Sequence, residues 1–408
     1  MFDQDKWQEI FSTIKQNKLR TFLTGFSIAW GIFMLVVLLG AGRGLQNAAE
    51  HAFTQRAKNS FKIYSGRTSK EYKGYKVGRD IQFTNETHDW LDKKLEGIQH
   101  LTSIKYLGGE VKYEKKSYND FRIRGVYPDY AAIEKRIVTE GRFLNTIDIN
   151  ETRKAAVIGE KVKEQLFEDE SPIGHNIFIN DIAFQVVGVF DSEIDSNKET
   201  IYIPTSTSQR LYEGNEDVGS LQFTIDTEDV KVATAKEEET RQLLSRLHQF
   251  NPKDNNAIFI INNLEGYEET LIVFMFLNGF IWFIAIGSII AGIVGISNIM
   301  VIIVKDRTKE IGVRKALGAA PFSIISLILS ESIFITSITG AFGLILGSGL
   351  LALINYLVPP SEMFRHPSVD LSIAISALIV LVVSGAIAGF FPARKAASIK
   401  PIESLRKE

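Results

Sequence analysis

The 408-residue chain contains no cysteine. Disulfides, thiolate metal sites and cysteine nucleophiles are therefore excluded, and any part outside the cytosol must be held together by core packing alone. A formal charge of -2 argues against general nucleic-acid binding, which needs a basic face. Catalytic signatures are missing as well: there is no G-x-S-x-G, no H-E-x-x-H and no G-x-x-x-x-G-K-[ST] phosphate loop. His51, His88 and His175 are scattered, without the spacing of metal ligands. The acidic clusters Glu168-Asp169-Glu170 and Glu237-Glu238-Glu239 read as solvated faces. No catalytic residue, cofactor site or metal site is expected in this chain.

Charge is also missing from four long stretches. They cover 21–42, 270–304, 316–361 (interrupted only by Glu331) and 371–393. About 20 apolar residues suffice to cross a hydrocarbon core of about 30 Å, and backbone polar groups in lipid must be satisfied within the segment, so each stretch is expected to be a transmembrane helix. Lys and Arg cluster before the first stretch (Lys6, Lys15, Lys18, Arg20), between the second and third (Lys305, Arg307, Lys309, Arg314, Lys315) and after the fourth (Arg394, Lys395, Lys400, Arg406, Lys407). The short loop before the fourth has only Arg365. That asymmetry places both termini in the cytosol. An uncleaved anchor fits the first stretch better than a signal peptide, because its apolar run is long and no clear A-x-A site follows.

The expected fold class is a membrane protein of four transmembrane α-helices, with a large mixed α/β extracytoplasmic domain inserted between helices 1 and 2. The expected order is a cytoplasmic segment 1–20, helix 21–44, inserted domain 45–269, helix 270–304, cytoplasmic segment 305–321, helix 322–357, short loop 358–370, helix 371–393 and tail 394–408. The second helix exceeds a simple crossing, so its first turns, around 271–277, are expected to project as a stalk. Within the inserted domain, strands are expected at 61–64, 110–126, 155–158, 177–190, 201–203, 221–225 and 258–261. Helices are expected at 45–57, 87–95, 160–167 and 230–250. A hairpin over 111–126 is expected to turn near Asn119-Asp120, and 66–79 to be a mobile loop. Small residues recur at helix-packing spacing: Gly287, Ala291 and Gly295; Gly343 and Gly347; Gly385 and Gly389. They serve either packing within one subunit or a homodimer seam.

The most informative stretch is Lys305 to Ala319. Helical spacing makes it a short amphipathic helix lying along the membrane, ended by Gly318, with Pro321 free to start the next helix. A topology-setting basic loop explains its Lys and Arg but not the order Glu-Ile-Gly-x-Arg-Lys-Ala-Leu-Gly. Glu310, Arg314 and Lys315, flanked by Ile311 and Leu317, suit docking into a partner's groove.

Residues 310–319 resemble the coupling segment of the MacB and FtsX group of ABC transporter permeases, the type VII exporters. Pro392-Ala393-Arg394-Lys395-Ala396-Ala397 and Pro401-Ile402-Glu403-Ser404-Leu405-Arg406 resemble that family's closing motif. Glu140-Gly141-Arg142-Phe143, Ala156-Val157-Ile158-Gly159, Ser171-Pro172-Ile173-Gly174 and Phe184-Gln185-Val186-Val187-Gly188-Val189 resemble its extracytoplasmic domain, and Asn17-Lys18-Leu19-Arg20-Thr21 also fits. The resemblance implies a homodimeric permease in the bacterial cytoplasmic membrane, coupled through Glu310, Ile311, Gly312, Arg314, Lys315, Leu317 and Gly318 to a cytosolic ATPase. Movement would be relayed to the outer domain by mechanotransmission. MacB carries its ATPase ahead of the first membrane helix; here about 20 residues precede Thr21, so a separate ABC ATPase subunit, with its ATP and magnesium, is expected. A periplasmic adaptor and an outer-membrane channel are left open. Glu is common at the Glu331 position in this family, which favours packing over a proton relay. The alternatives are an FtsX-like regulator of cell-wall hydrolases and a lipoprotein-release permease of the LolC/LolE kind.

Overall fold

The computed structural model describes residues 18–398, apart from 55, 193, 213–215 and 362. The chain forms two compact units, one of residues up to Ala49 with those from Val273 onward, the other Glu50–Ile272. The closing-motif residues 401–406 and Asn17 lie outside the described residues, as do most of the two chain ends expected in the cytosol.

The first helix, α1 (Lys18–Thr54), is 37 residues long. The sequence suggests two helices here, 21–44 and 45–57; the structure has one. No proline interrupts the junction, and its glycines are used for close approach. A Cβ on Gly40 would overlap Leu351, one on Gly42 would stand 3.3 Å from Ile281, and one on Gly44 would stand 2.7 Å from the Phe364 ring.

The inserted unit follows in the order β1 (Ser60–Ser65), β2 (Phe83–Thr84), α2 (Asn85–Lys94), β3 (Ile98–Leu107), β4 (Val111–Tyr113), β5 (Lys116–Tyr118), β6 (Arg122–Val126) and α3 (Tyr130–Ile133). Next come β7 (Ile137–Gly141), α4 (Thr146–Asn150), β8 (Ala155–Gly159), α5 (Glu160–Phe167), β9 (Asn176–Ile179), β10 (Ile182–Asp191), α6 (Asp195–Lys198) and β11 (Thr200–Pro204). It ends with α7 (Thr205–Tyr212), β12 (Asp217–Val218), β13 (Ser220–Ile225), α8 (Val230–His248) and β14 (Ile258–Asn262). Twelve strands form one sheet, eleven of them in the order β14-β1-β13-β3-β6-β11-β8-β10-β9-β4-β5 and the twelfth, β7, on β10. The pairs β6–β11 and β8–β10 are parallel and the others antiparallel, giving a mixed α/β domain. Its apolar cores sit where α2 and α8 cover Phe61, Leu221 and Phe223, and where α5 covers Ile158 and Val186.

Three expectations change. The stretch 111–126 is not one hairpin: β4 and β5 turn at Glu114-Lys115, with Glu114 left-handed at φ 50°, and β6 leaves to pair with β3 and β11. Asn119-Asp120 only links β5 to β6, because the partners that capture β6 are distant in sequence. The predicted strand 177–190 is two strands, turned by Asn180-Asp181 at φ 48° and 63°, the left-handed pair that a tight hairpin requires. The ten-residue β3 has no clear alternation because both its faces are covered; Thr102, Ser103 and Lys105 are buried there. Loop 66–79 is irregular as expected, and its base is tied. The Asp254 carboxylate accepts from the Ser69 and Lys70 amides and the Ser69 hydroxyl.

The family-like stretches in this unit serve the backbone. Gly141 is left-handed at φ 68°, and Arg142 makes a two-pronged contact with the fully buried Asp148. A Cβ on Gly159 would overlap the Lys198 carbonyl.

The remaining helices are α9 (Asn263–Asp306), α10 (Thr308–Ala316), α11 (Pro321–Leu357) and α12 (Leu371–Ala397). At 44 residues, α9 spans about 66 Å and begins immediately after β14, earlier than the expected stalk. Its first turn is fixed by the Asn263 amide donating to Ser60 Oγ and by an edge contact between Tyr267 and Phe53. Helices α1, α9, α11 and α12 are long and apolar enough to cross a membrane. Gly343 and Gly347 of α11 pack against Ala29 and Val36 of α1, and Gly385 and Gly389 of α12 against Thr336 and Ser332 of α11. Those two small-residue pairs serve packing within the chain. A Cβ added to Gly287 or Gly295 would meet nothing outside the neighbouring turns within 4 Å among the described residues.

Candidate functional site

The segment joining α9 to α11 folds as the nine-residue α10, as its periodicity predicts. Arg307 stands at its N-cap, where the Ile311 amide donates to the Arg307 carbonyl. Gly318, at φ 96°, accommodates the left-handed turn that closes the helix, and Pro321 opens α11 at its first position.

The seven expected coupling residues are brought together on this helix and its cap, but they face two ways. Ile311 and Gly312 are buried. Ile311 belongs to the apolar core of the membrane unit, in a cluster with Ala393 and Ala396 of α12. Its side chain therefore packs beneath α10 and not beside Glu310 and Arg314, where the sequence suggests it. The Lys315 ammonium is also turned inward, donating to the Ala397 carbonyl at 2.6 Å, where a cation suits the C-terminal end of α12. The described part of the closing motif, residues 392–397, thus packs against α10. Glu310 and Arg314 stay partly exposed and pair with each other at 2.9 Å. Leu317 is 83% exposed, Gly318 lies beside it in the open turn, and Val313 and Phe322 are exposed too.

Two residues outside the expected set complete the site. Arg307 donates from Nε and Nη2 to the two Glu310 carboxylate oxygens, each at 2.9 Å, and its Nη1 lies 3.4 Å from Glu331 Oε2. Glu331 sits in the third turn of α11 and is 1% exposed. The sequence names no partner for this carboxylate; the fold supplies Arg307. A signal for half of the cluster is present in the sequence, since residues 307, 310 and 314 share one helical face. Nothing local links it to residue 331.

The inserted unit offers less chemistry. His88 stacks on Tyr127 with ring centres 4.4 Å apart, and His175 lies 3.7 Å from Glu170. Among the described residues no three His, Asp or Glu side chains are grouped to hold a metal. Burial, assisted by the nearby Arg79 charge, lowers His248 to a pKa of about 4.

Comparison with known proteins agrees with this division. The MacB-like periplasmic core domain matches residues 21–246, more than half of the chain, and the FtsX-like permease C-terminal region matches 282–401. The chain belongs to the MacB/FtsX-like permease family. The macrolide export ATP-binding/permease protein MacB of Bdellovibrio bacteriovorus is 29% identical over 98% of this permease and 61% of its own length. The pyoverdine export ATP-binding/permease protein PvdT of Pseudomonas syringae pv. syringae is 29% identical over 99% of this chain and 61% of its own. The permease thus spans about three fifths of the length of these curated relatives. The crystal structure of the periplasmic region of MacB from Actinobacillus actinomycetemcomitans aligns with a TM-score of 0.45 at 24% identity, covering 55% of this chain and 97% of that one. Residues 305–321 fall within the FtsX-like match, and the inserted unit within the periplasmic-domain match for most of its length.

Proposed function

We propose that this chain is the permease of an ABC transporter in which ATP hydrolysis, by an ATPase lying outside these 408 residues, moves the inserted domain and drives export of substrate from the periplasm. The relatives named for macrolide and pyoverdine export support this direction over hydrolase regulation. In this reading α1, α9, α11 and α12 cross the bacterial cytoplasmic membrane with both termini in the cytosol, as the Lys and Arg distribution favours. The ATPase binds ATP and magnesium, and the permease works as a homodimer.

The observation that carries the proposal is the exposed face of α10. Leu317, Val313 and Phe322 are open beside the Glu310–Arg314 pair, while Ile311 and Lys315 fasten the opposite side into the bundle. Exposed apolar side chains rimmed by charge mark a protein-binding surface. Coupling would run from the ATPase into α10, and then along helices that continue into the inserted domain.

The test is reconstitution of the chain with an ABC ATPase co-purified from native membranes. Arg314→Glu combined with Leu317→Asp is expected to cut permease-stimulated ATP hydrolysis at least tenfold, with membrane insertion unchanged. Stimulation equal to that of the unaltered chain would refute docking at α10.

A further inference from the structure

A helix of nine residues is not stable alone in water, so the position of α10 is set by its ties to the rest of the unit. Two ties are short and local to its inner face: Ile311 in the core beneath it, and Lys315 on the Ala397 carbonyl. The third is of another kind. Arg307 divides its guanidinium between Glu310, on α10, and Glu331, on α11. Glu331 is the one charged residue in the whole of Pro321–Leu357. An ionisable side chain inside an apolar span is costly and is kept where it has a partner and a task. An apolar side chain at this position would pack in the bundle without a desolvated charge; a carboxylate adds an opposite charge that holds the Arg307 guanidinium.

We propose that Glu331 is a positioning residue for the coupling segment: through Arg307 it ties α10 to α11, so that the two helices move as one body. A push on α10 is then delivered to α11 and not absorbed by bending at residues 305–307 and 317–320. The forked guanidinium suits this role, because it holds two carboxylates in fixed geometry where a lysine would act as a point charge. The direction of the push rests on the transport reading above; the tie itself does not.

Hydrogen exchange on the full chain in lipid nanodiscs, with no ATPase present, tests the tie. In Glu331→Gln and in Arg307→Gln the amides of 308–316 are expected to exchange at least tenfold faster than in the unaltered chain. The double variant should exchange no faster than the quicker single one, because both changes remove the same interaction. Glu310→Gln, which weakens only the contacts local to α10 and its cap, with Arg307 and Arg314, is expected to raise exchange less than threefold. Exchange in Glu331→Gln within twofold of the unaltered chain would overturn the proposal, as would a Glu310→Gln effect of equal size or a double variant in which the two increases multiply. If Glu331→Gln does not insert, Glu331→Asp, with its shorter reach, is read on the same scale; exchange matching the unaltered chain overturns the tie, and an increase of threefold or more supports it. A tie that fails while ATPase stimulation survives sinks this proposal alone. Stimulation that fails while the tie holds sinks the transport reading alone.

Discussion

His248 is expected to make the inserted domain sensitive to mild acid, and the size of the effect follows from its surroundings. The imidazole sits at the end of α8 against the Phe83 ring, with Nε2 3.1 Å from Thr87 Oγ1. The Arg79 guanidinium donates to the carbonyls of His248 and Gln249. Burial, then the Arg79 charge, lowers the pKa from 6.5 to about 4. The folded domain therefore holds this side chain neutral, while the unfolded chain takes up a proton below about pH 6.5. Stability from this group is intact above pH 6.5, is lost as pH falls from 6.5 to 4, and is constant below that. The full loss has a ceiling of about 3.4 kcal/mol, of which about 2 is reached at pH 5. Because the ring is only partly buried, about 1–2 kcal/mol is the expected loss at pH 5 once solvent screening is allowed for. In a domain of this size that corresponds to roughly 2–8 °C in melting temperature. The assay is thermal melting of the full chain in detergent at pH 7.5 and pH 5.0, compared with His248→Gln. Other groups titrate alike in both proteins, so the difference between the two shifts isolates His248. Equal shifts in the two proteins would refute the assignment.

Two further outcomes follow from other residues. Asp148→Asn leaves the Arg142 fork and the Asn145 amide with a weaker acceptor in a fully buried position, and is expected to destabilise the domain by about 2–3 kcal/mol in chemical denaturation. Trypsin added to the outside of right-side-out membrane vesicles is expected to cut first after Lys73 or Lys76, at the exposed tip of loop 66–79, and to spare both termini. Cleavage at a terminus would reverse the orientation.

The sequence made the membrane helices legible because a run without charge carries its meaning locally: lipid is uniform along it. Residues 21–42, 270–304 and 371–393 reappear inside α1, α9 and α12. The helix stop at Gly318 and the start at Pro321 were legible for the same reason, since caps and first turns depend on neighbouring residues. Strand partners were not. β3 shows no alternation because both faces are covered, and β6 leaves the hairpin suggested by its neighbours for partners at residues 104–107 and 200–204. In the site, the residues of α10 and their periodicity came from the sequence, but the way each side chain faces did not. Ile311 and Leu317 are alike as apolar residues, yet one lies in the core and the other in the open.

The amino-acid order by itself determined where the chain is apolar enough to cross a membrane, where a large α/β domain interrupts those crossings, and where a charged helix joins two of them. Each of these is a property of contiguous residues. Only the tertiary structure decided that Glu331 meets Arg307 across 24 positions, that the 392–397 stretch lies under Ile311 and Lys315, and which glycines press one helix on another. The physical reason is that a charge pair or a close helix contact is a relation between separate turns of chain, which comes into existence when packing brings those turns together.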